Sequence, residues 1–307
     1  MRKNGMEAGA GDAWPSGPGR DATRTATPAG SLSGGEHGGI SLNGVSETLL
    51  IPVWARAVES LRGDGLVQDP YALRMVHAID YDFGKFRNIW ISQTGVAVRT
   101  RILDRAVARF LARHPQGVVA LLGCGLDARS RRMDNNAALW IELDLPEVIA
   151  WRRGFFDEDA RHRMLGVSVL DTAWFAEVPP DRPVLILAEG LFMYLPPDEL
   201  RDLVRDMAEA FPGGELVFEA LSRSYVGRSA RHDAVSKCDA AFTWGIDKGS
   251  DICAWSPRLE FMGDLHYFDC PRNRWRWLWW IRWLPYIRRM VKISSFRFRH
   301  AATGGAA

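Results

Sequence analysis

Three short stretches place groups capable of chemistry at the ends of apolar runs. The first, Gly123-Cys124-Gly125-Leu126-Asp127-Ala128, follows the run VVALL. Glycines there let the main chain turn sharply and approach a ligand that a Cβ would hold off. The second, LWIELDLPEVI, carries Glu142 and Asp144, about 20 residues beyond the glycines, where an acid can take both hydroxyls of a ribose. The third, Glu189-Gly190-Leu191-Phe192-Met193-Tyr194, follows PVLILA. A lone GxGxxA also fits a plain strand-to-helix turn; the glycines and the acid together point to a nucleoside cofactor.

Two cofactor classes share that geometry and differ in charge. A dinucleotide offers a pyrophosphate to the loop and the following helix N-terminus. S-adenosyl-L-methionine offers a carboxylate, an ammonium and a sulfonium instead. Asp127 lies within the loop, where a carboxylate repels a pyrophosphate, so the methyl donor is favoured over the nicotinamide cofactor of an NAD(P)-dependent oxidoreductase. Glu189 falls at a strand end, in the crevice that open parallel sheets use for ligands. It suits the donor's ammonium, and equally a helix cap around Asp198 or an arginine partner.

The elements that must position these groups follow from periodicity. Leu49, Leu50, Val53, Trp54, Ala57, Val58 and Leu61 recur at helical spacing and stop at Gly63 and Gly65. A second helix is predicted from Asp69-Pro70, with proline in the tolerated first turn, and a third over 94–113. Then the pattern changes to continuous apolar runs at 118–123, 139–143, 164–169, 183–188 and 215–220, the form of strands buried on both faces of a parallel sheet. ISSFRFR at 293–299 alternates and reads as one more strand, antiparallel and near an edge. The expected fold is therefore α/β, a Rossmann-like doubly wound, mostly parallel sheet with an antiparallel edge strand and helical caps at both ends. Residues 1–43, rich in Gly, Ala, Ser, Thr and Pro, are expected to be a disordered tail before a single domain over 44–307. Within it, 44–115 forms the N-terminal cap, 116–221 the nucleotide-binding core, 222–292 an acceptor or lid region, and 293–300 the last strand.

At these residues the chain resembles the leucine carboxyl methyltransferase and polyketide O-methyltransferase family of class I methyltransferases. The motifs that carry the resemblance are Gln68-Asp69-Pro70, Arg99-Thr100-Arg101 with Asp104, Gly123 to Arg129, Glu142 to Pro146, and Glu189 to Leu195. The resemblance implies that Arg99 fixes the donor's carboxylate, a bidentate task suited to guanidinium. It likewise implies that Gly123, Cys124 and Gly125 meet the methionine portion, Asp144 and Leu145 the ribose, and Glu189 the amino group. Ser168, Val169 and Leu170 stand where many relatives carry an acid beside adenine, and Asp171 is the nearest acid here. Arg56 matches a basic residue that closes the site from the first helix.

For the acceptor, a small molecule, Tyr194, Trp244, Trp275 and Arg276 are candidate contacts, and His232 and His266 are candidate bases for a hydroxyl acceptor. The segment WRWLWWIRWLPYIRRM at 275–290 reads as a wall over an aromatic acceptor, a helix packed on the sheet, or an attachment to anionic lipid. A binding module that uses this segment without catalysis, single-stranded RNA included, is the non-enzyme alternative.

A formal net charge of +2 gives no global field for nucleic acid. The arginines in the most apolar stretch oppose a membrane span, and four scattered cysteines provide neither a zinc pattern nor a disulfide framework. A cytoplasmic enzyme without metal, monomeric or homodimeric, is the expectation.

Overall fold

The computed structural model describes residues 48–226, 242–269 and 274–300. Strands β1 (Val118–Leu122), β2 (Leu139–Asp144), β3 (His162–Gly166), β4 (Val184–Ala188), β5 (Glu215–Leu221), β6 (Leu259–His266) and β7 (Val291–Phe298) form one sheet in the order β3-β2-β1-β4-β5-β7-β6. The first five are parallel, and β7 runs antiparallel to both β5 and β6. All five residues of β1 and of β4 are buried, as expected of central parallel strands covered on both faces. The order reverses direction between β1 and β4, which opens a crevice at their carboxyl ends.

Three helices precede the sheet: α1 (Leu50–Ser60), α2 (Pro70–Ala78) and α3 (Trp90–Arg113). Asp69 caps α2 by accepting from the Ala72 amide at 2.9 Å, with Pro70 in the first turn as the sequence predicts. Short helices α4 (Arg129–Arg132) and α5 (Pro146–Arg152) follow β1 and β2, and α6 (Pro197–Ala210) follows β4. α6 buries Leu200, Leu203, Val204, Met207 and Ala208 on one stripe against the core under β1, β4 and β5.

Three expectations change. The antiparallel edge has two strands, because β6 lies outside β7, and β3 begins and ends earlier than 164–169. The segment at 275–290 is not a helix packed on the sheet: it is a 3-10 stretch over Arg276–Trp283 followed by the single turn α7 (Pro285–Arg288). The tail expected over 1–43 lies outside the described residues. Among those described, no helix is long and apolar enough to cross a membrane.

Candidate functional site

The turn after β1 is held from three directions. Gly123 and Gly125 take left-handed conformations at φ +63° and +48°, which residues with a Cβ rarely adopt. A Cβ on Gly123 would also stand 3.0 Å from the Leu191 side chain. The Cys124 amide donates to the Leu143 carbonyl at 2.9 Å, and the Gly125 amide donates to Asp144 Oδ2 at 2.7 Å. From behind, Arg152 donates to the Gly125 carbonyl at 2.9 Å and pairs with the fully buried Glu142. Glu142 therefore braces the loop from behind and does not line the cavity on which the loop opens.

This loop opens on a cavity of about 450 Å³. One end is ionic. Arg99 Nε donates to Glu189 Oε1 at 2.7 Å, and its NH1 donates to Glu219 Oε2 at 2.9 Å. Glu189 Oε2 accepts from Arg129 at 2.7 Å. Arg129 also pairs with Asp104 and Asp127, Arg132 with Asp69, Asp104 and Asp127, and Arg56 with Asp69. Burial works against ionising Asp127, yet Arg129, Arg56 and Arg132 outweigh it and hold the carboxyl far below its ordinary value. Glu189 is likewise held low against burial, by Arg99 and Arg129. Asp127 is thus surrounded by guanidinium, and its charge alone does not exclude a pyrophosphate as the sequence implied.

The other end is apolar and aromatic, lined by Met193, Tyr194, Tyr225, Phe242, Phe268 and Trp275, with Leu278, Ile281 and Ile287 from the wall segment. Trp275 is locked by its indole N–H, which donates to the Tyr267 carbonyl at 3.0 Å. The segment's other side, with Trp280, Trp283 and Tyr286, is exposed. On α3, Ile91, Ser92, Gly95 and Arg99 form the helix face that closes the cavity.

Of the residues singled out in the sequence, Arg56, Arg99, Gly123, Cys124, Gly125, Glu189, Tyr194 and Trp275 line this cavity. Burial pushes the Cys124 thiol well above its ordinary value, in keeping with inert packing. Asp144, Leu145, Ser168, Val169 and Leu170 do not line it; they end or follow β2 and β3. Asp144 nevertheless touches the cavity wall through Gly125, while burial raises its carboxyl above the ordinary value. Asp171 accepts from the Ala173 amide and caps a 3-10 turn.

Two acceptor candidates fall elsewhere. Trp244 packs against Phe218 and Trp255 in the core, and His266 does not line the cavity, whereas its neighbour Tyr267 does. His232 lies outside the described residues, as does the side chain of Arg276. Sequence reasoning missed Glu219 and Tyr267. Glu219 was read as part of the apolar run at 215–220, where a carboxylate that ends up only 4 % exposed was the available signal.

Comparison with known proteins bears on this geometry. The leucine carboxyl methyltransferase family profile matches residues 50–208. The tetracenomycin polyketide synthesis O-methyltransferase TcmP of Streptomyces glaucescens is 36% identical over 234 residues, covering 76% of this chain and 86% of that protein. The S-adenosyl-L-methionine-dependent methyltransferase dpfgK of Gibberella zeae is 32% identical over 248 residues, covering 74% and 83%. Among solved structures, a DUF574 family protein from Streptomyces avermitilis shares the fold with a TM-score of 0.52 at 11% identity, covering 82% of this chain and 97% of that one. A glycine turn anchored by the acid of β2, opening beside paired arginines and carboxylates, together with these matches, means that the chain belongs to the leucine carboxyl methyltransferase family and is an S-adenosyl-L-methionine-dependent methyltransferase.

Proposed function

We propose that this enzyme methylates an oxygen, carboxylate or hydroxyl, on a flat and largely apolar small molecule of the polyketide type. The observation that carries this reading is one continuous cavity that joins the ion-lined glycine turn to an aromatic chamber. The relative TcmP, an O-methyltransferase of polyketide synthesis, supports the acceptor class.

S-adenosyl-L-methionine supplies an electrophilic methyl group when bound. The protein's part is to hold the acceptor oxygen in line, about 3 Å from that methyl, and to keep water out. In this reading Arg99 receives the donor's carboxylate and Glu189 its ammonium. Gly123, Cys124 and Gly125 give main-chain contact, Asp144 and Leu145 meet the ribose, and Ser168, Val169 and Leu170 flank adenine. Tyr194 and Trp275 sandwich the acceptor, with Leu278 and Ile281 excluding solvent.

Among the described residues lining the cavity there is no histidine or lysine. A carboxylate acceptor needs neither, since it arrives as an anion, whereas an alcohol benefits from a base matched to neutral pH. The enzyme acts in the cytoplasm, as a monomer or homodimer and without nucleic acid, with residues 222–292 forming its acceptor region.

Isothermal titration with S-adenosylmethionine, S-adenosylhomocysteine and NAD(H), followed by labelled methyl transfer to polycyclic phenols and carboxylates, tests the proposal. Binding of the first two and oxygen-linked label are expected. Binding of NAD(H) with no response to the sulfur ligands would overturn it.

A further inference from the structure

The ion pairs around the glycine turn form one connected chain with unequal charge. Arg56, Arg99, Arg129 and Arg132 face five carboxylates: Asp69, Asp104, Asp127, Glu189 and Glu219. Among the described residues, Asp69, Asp104, Asp127 and Glu189 each pair with two of these guanidiniums. Glu219, at the end of this network, pairs among the described residues with Arg99 alone. Its second partner is neutral: the Tyr267 hydroxyl donates to Oε1 at 2.5 Å, and burial, then Glu219 itself, push that phenol well above its ordinary value. Glu219 and Tyr267 both line the cavity, and the Tyr267 ring lies against Gly95, one turn before Arg99 on α3.

Methyl transfer changes the charge of the ligand. The acceptor's lone pair forms the new bond to the methyl carbon, the carbon–sulfur bond breaks, and its electron pair stays on sulfur. The donor, with carboxylate, ammonium and sulfonium, carries one net positive charge; the thioether product carries none.

We propose that Glu219, positioned by the Tyr267 hydroxyl, is the unbalanced carboxylate through which the site prefers the sulfonium donor over its neutral product. The inference rests on the donor assignment above. Because Glu219 shares its one guanidinium, Arg99, with Glu189, four cations face five carboxylates, and the net negative charge left over attracts a positive ligand more strongly than a neutral one in low-dielectric surroundings. Arg99 fixes where that charge stands, while the Tyr267 carbonyl receives the Trp275 indole, so the same residue joins the charge to the aromatic wall. Glu219 is thus a specificity-determining residue and Tyr267 a positioning residue.

The test is the ratio of dissociation constants for S-adenosylhomocysteine and S-adenosylmethionine, read by titration for wild type, Glu219→Gln, Glu219→Asp and Tyr267→Phe. Glu219→Gln is expected to weaken the donor about tenfold more than the product, or ~1.4 kcal/mol of selectivity. Sinefungin, with a protonated amine in place of the sulfonium, should follow the donor. Glu219→Asp should retain most of the preference, and Tyr267→Phe should lose about threefold by the same conversion. Should Glu219→Gln not fold, Tyr267→Phe, which keeps the charge pair, carries the comparison. Equal weakening of donor and product, or no change in their ratio, would overturn the inference and leave Glu219 as a structural ion pair. Wild-type protein that binds neither ligand would overturn the donor assignment and the inference with it.

Discussion

At the ionic end of the cavity, arginines and carboxylates from α1, α3, α4, β5, the turn after β1 and the end of β4 interlock, and most of them pair with two or more others. At the aromatic end, the Tyr194 ring lies against Phe242 with centroids 5.4 Å apart, and Trp275 lies against Phe268 with its indole donating to the Tyr267 carbonyl. The first end is suited to one cosubstrate of fixed shape, because moving any partner strands a buried ion. The second tolerates changes of shape that keep the volume. Stiffness at the cosubstrate and latitude at the acceptor are what a family needs if one donor is to serve many acceptors.

That contrast can be broken most forcefully at Arg129, which is 1 % exposed and holds three carboxylates. Arg129→Ala should cost about 3–5 kcal/mol of stability by stranding buried charge, read as a lowered urea midpoint with an unchanged slope. A milder perturbation is Arg99→Lys. An ammonium cannot keep the fork that spans Glu189 and Glu219, so donor affinity should fall about 10- to 100-fold, with little change in acceptor KM. At the other end, Ile281→Ala should raise acceptor KM several-fold, about 1 kcal/mol of lost apolar contact, while titration shows donor affinity intact. Smallest of all is His266→Gln. Burial, then Arg288, lower the His266 pKa, but the ring stands outside the cavity, so kcat/KM should keep its pH profile between about pH 5.5 and 8. A base-limited profile lost in this variant would reopen the histidine as a catalytic group.

How far the sequence foretold the molecule differs between the same two ends. β1, β2, β4 and β5 are legible because strands covered on both faces read as unbroken apolar runs, and the glycines, Arg99 and Glu189 sit at or beside their ends. β6 is not. Its LEFMGDLH is only partly buried, and the register shifts between Phe261 and Gly263, which breaks the alternation a half-buried strand would show. With β6 unseen, nothing marked His266 as the last residue of a strand and Tyr267 as the start of the 3-10 turn that reaches the cavity. Trp244 was assigned to the acceptor by its region, whereas its place is fixed by contacts with Phe218 and Trp255 that only the fold brings together. Glu219 escaped for a related reason: its meaning depends on Arg99 and Tyr267, 120 and 48 residues away in the chain.

The most direct test of the whole account is a crystal structure with S-adenosylhomocysteine. The account predicts its amino-acid portion between Gly123, Arg99 and Glu189, its ribose on Asp144, and its sulfur facing the chamber of Tyr194 and Trp275. A ligand that contacts Asp144 or Glu189 but not the glycine turn, or one seated away from this cavity, would contradict it.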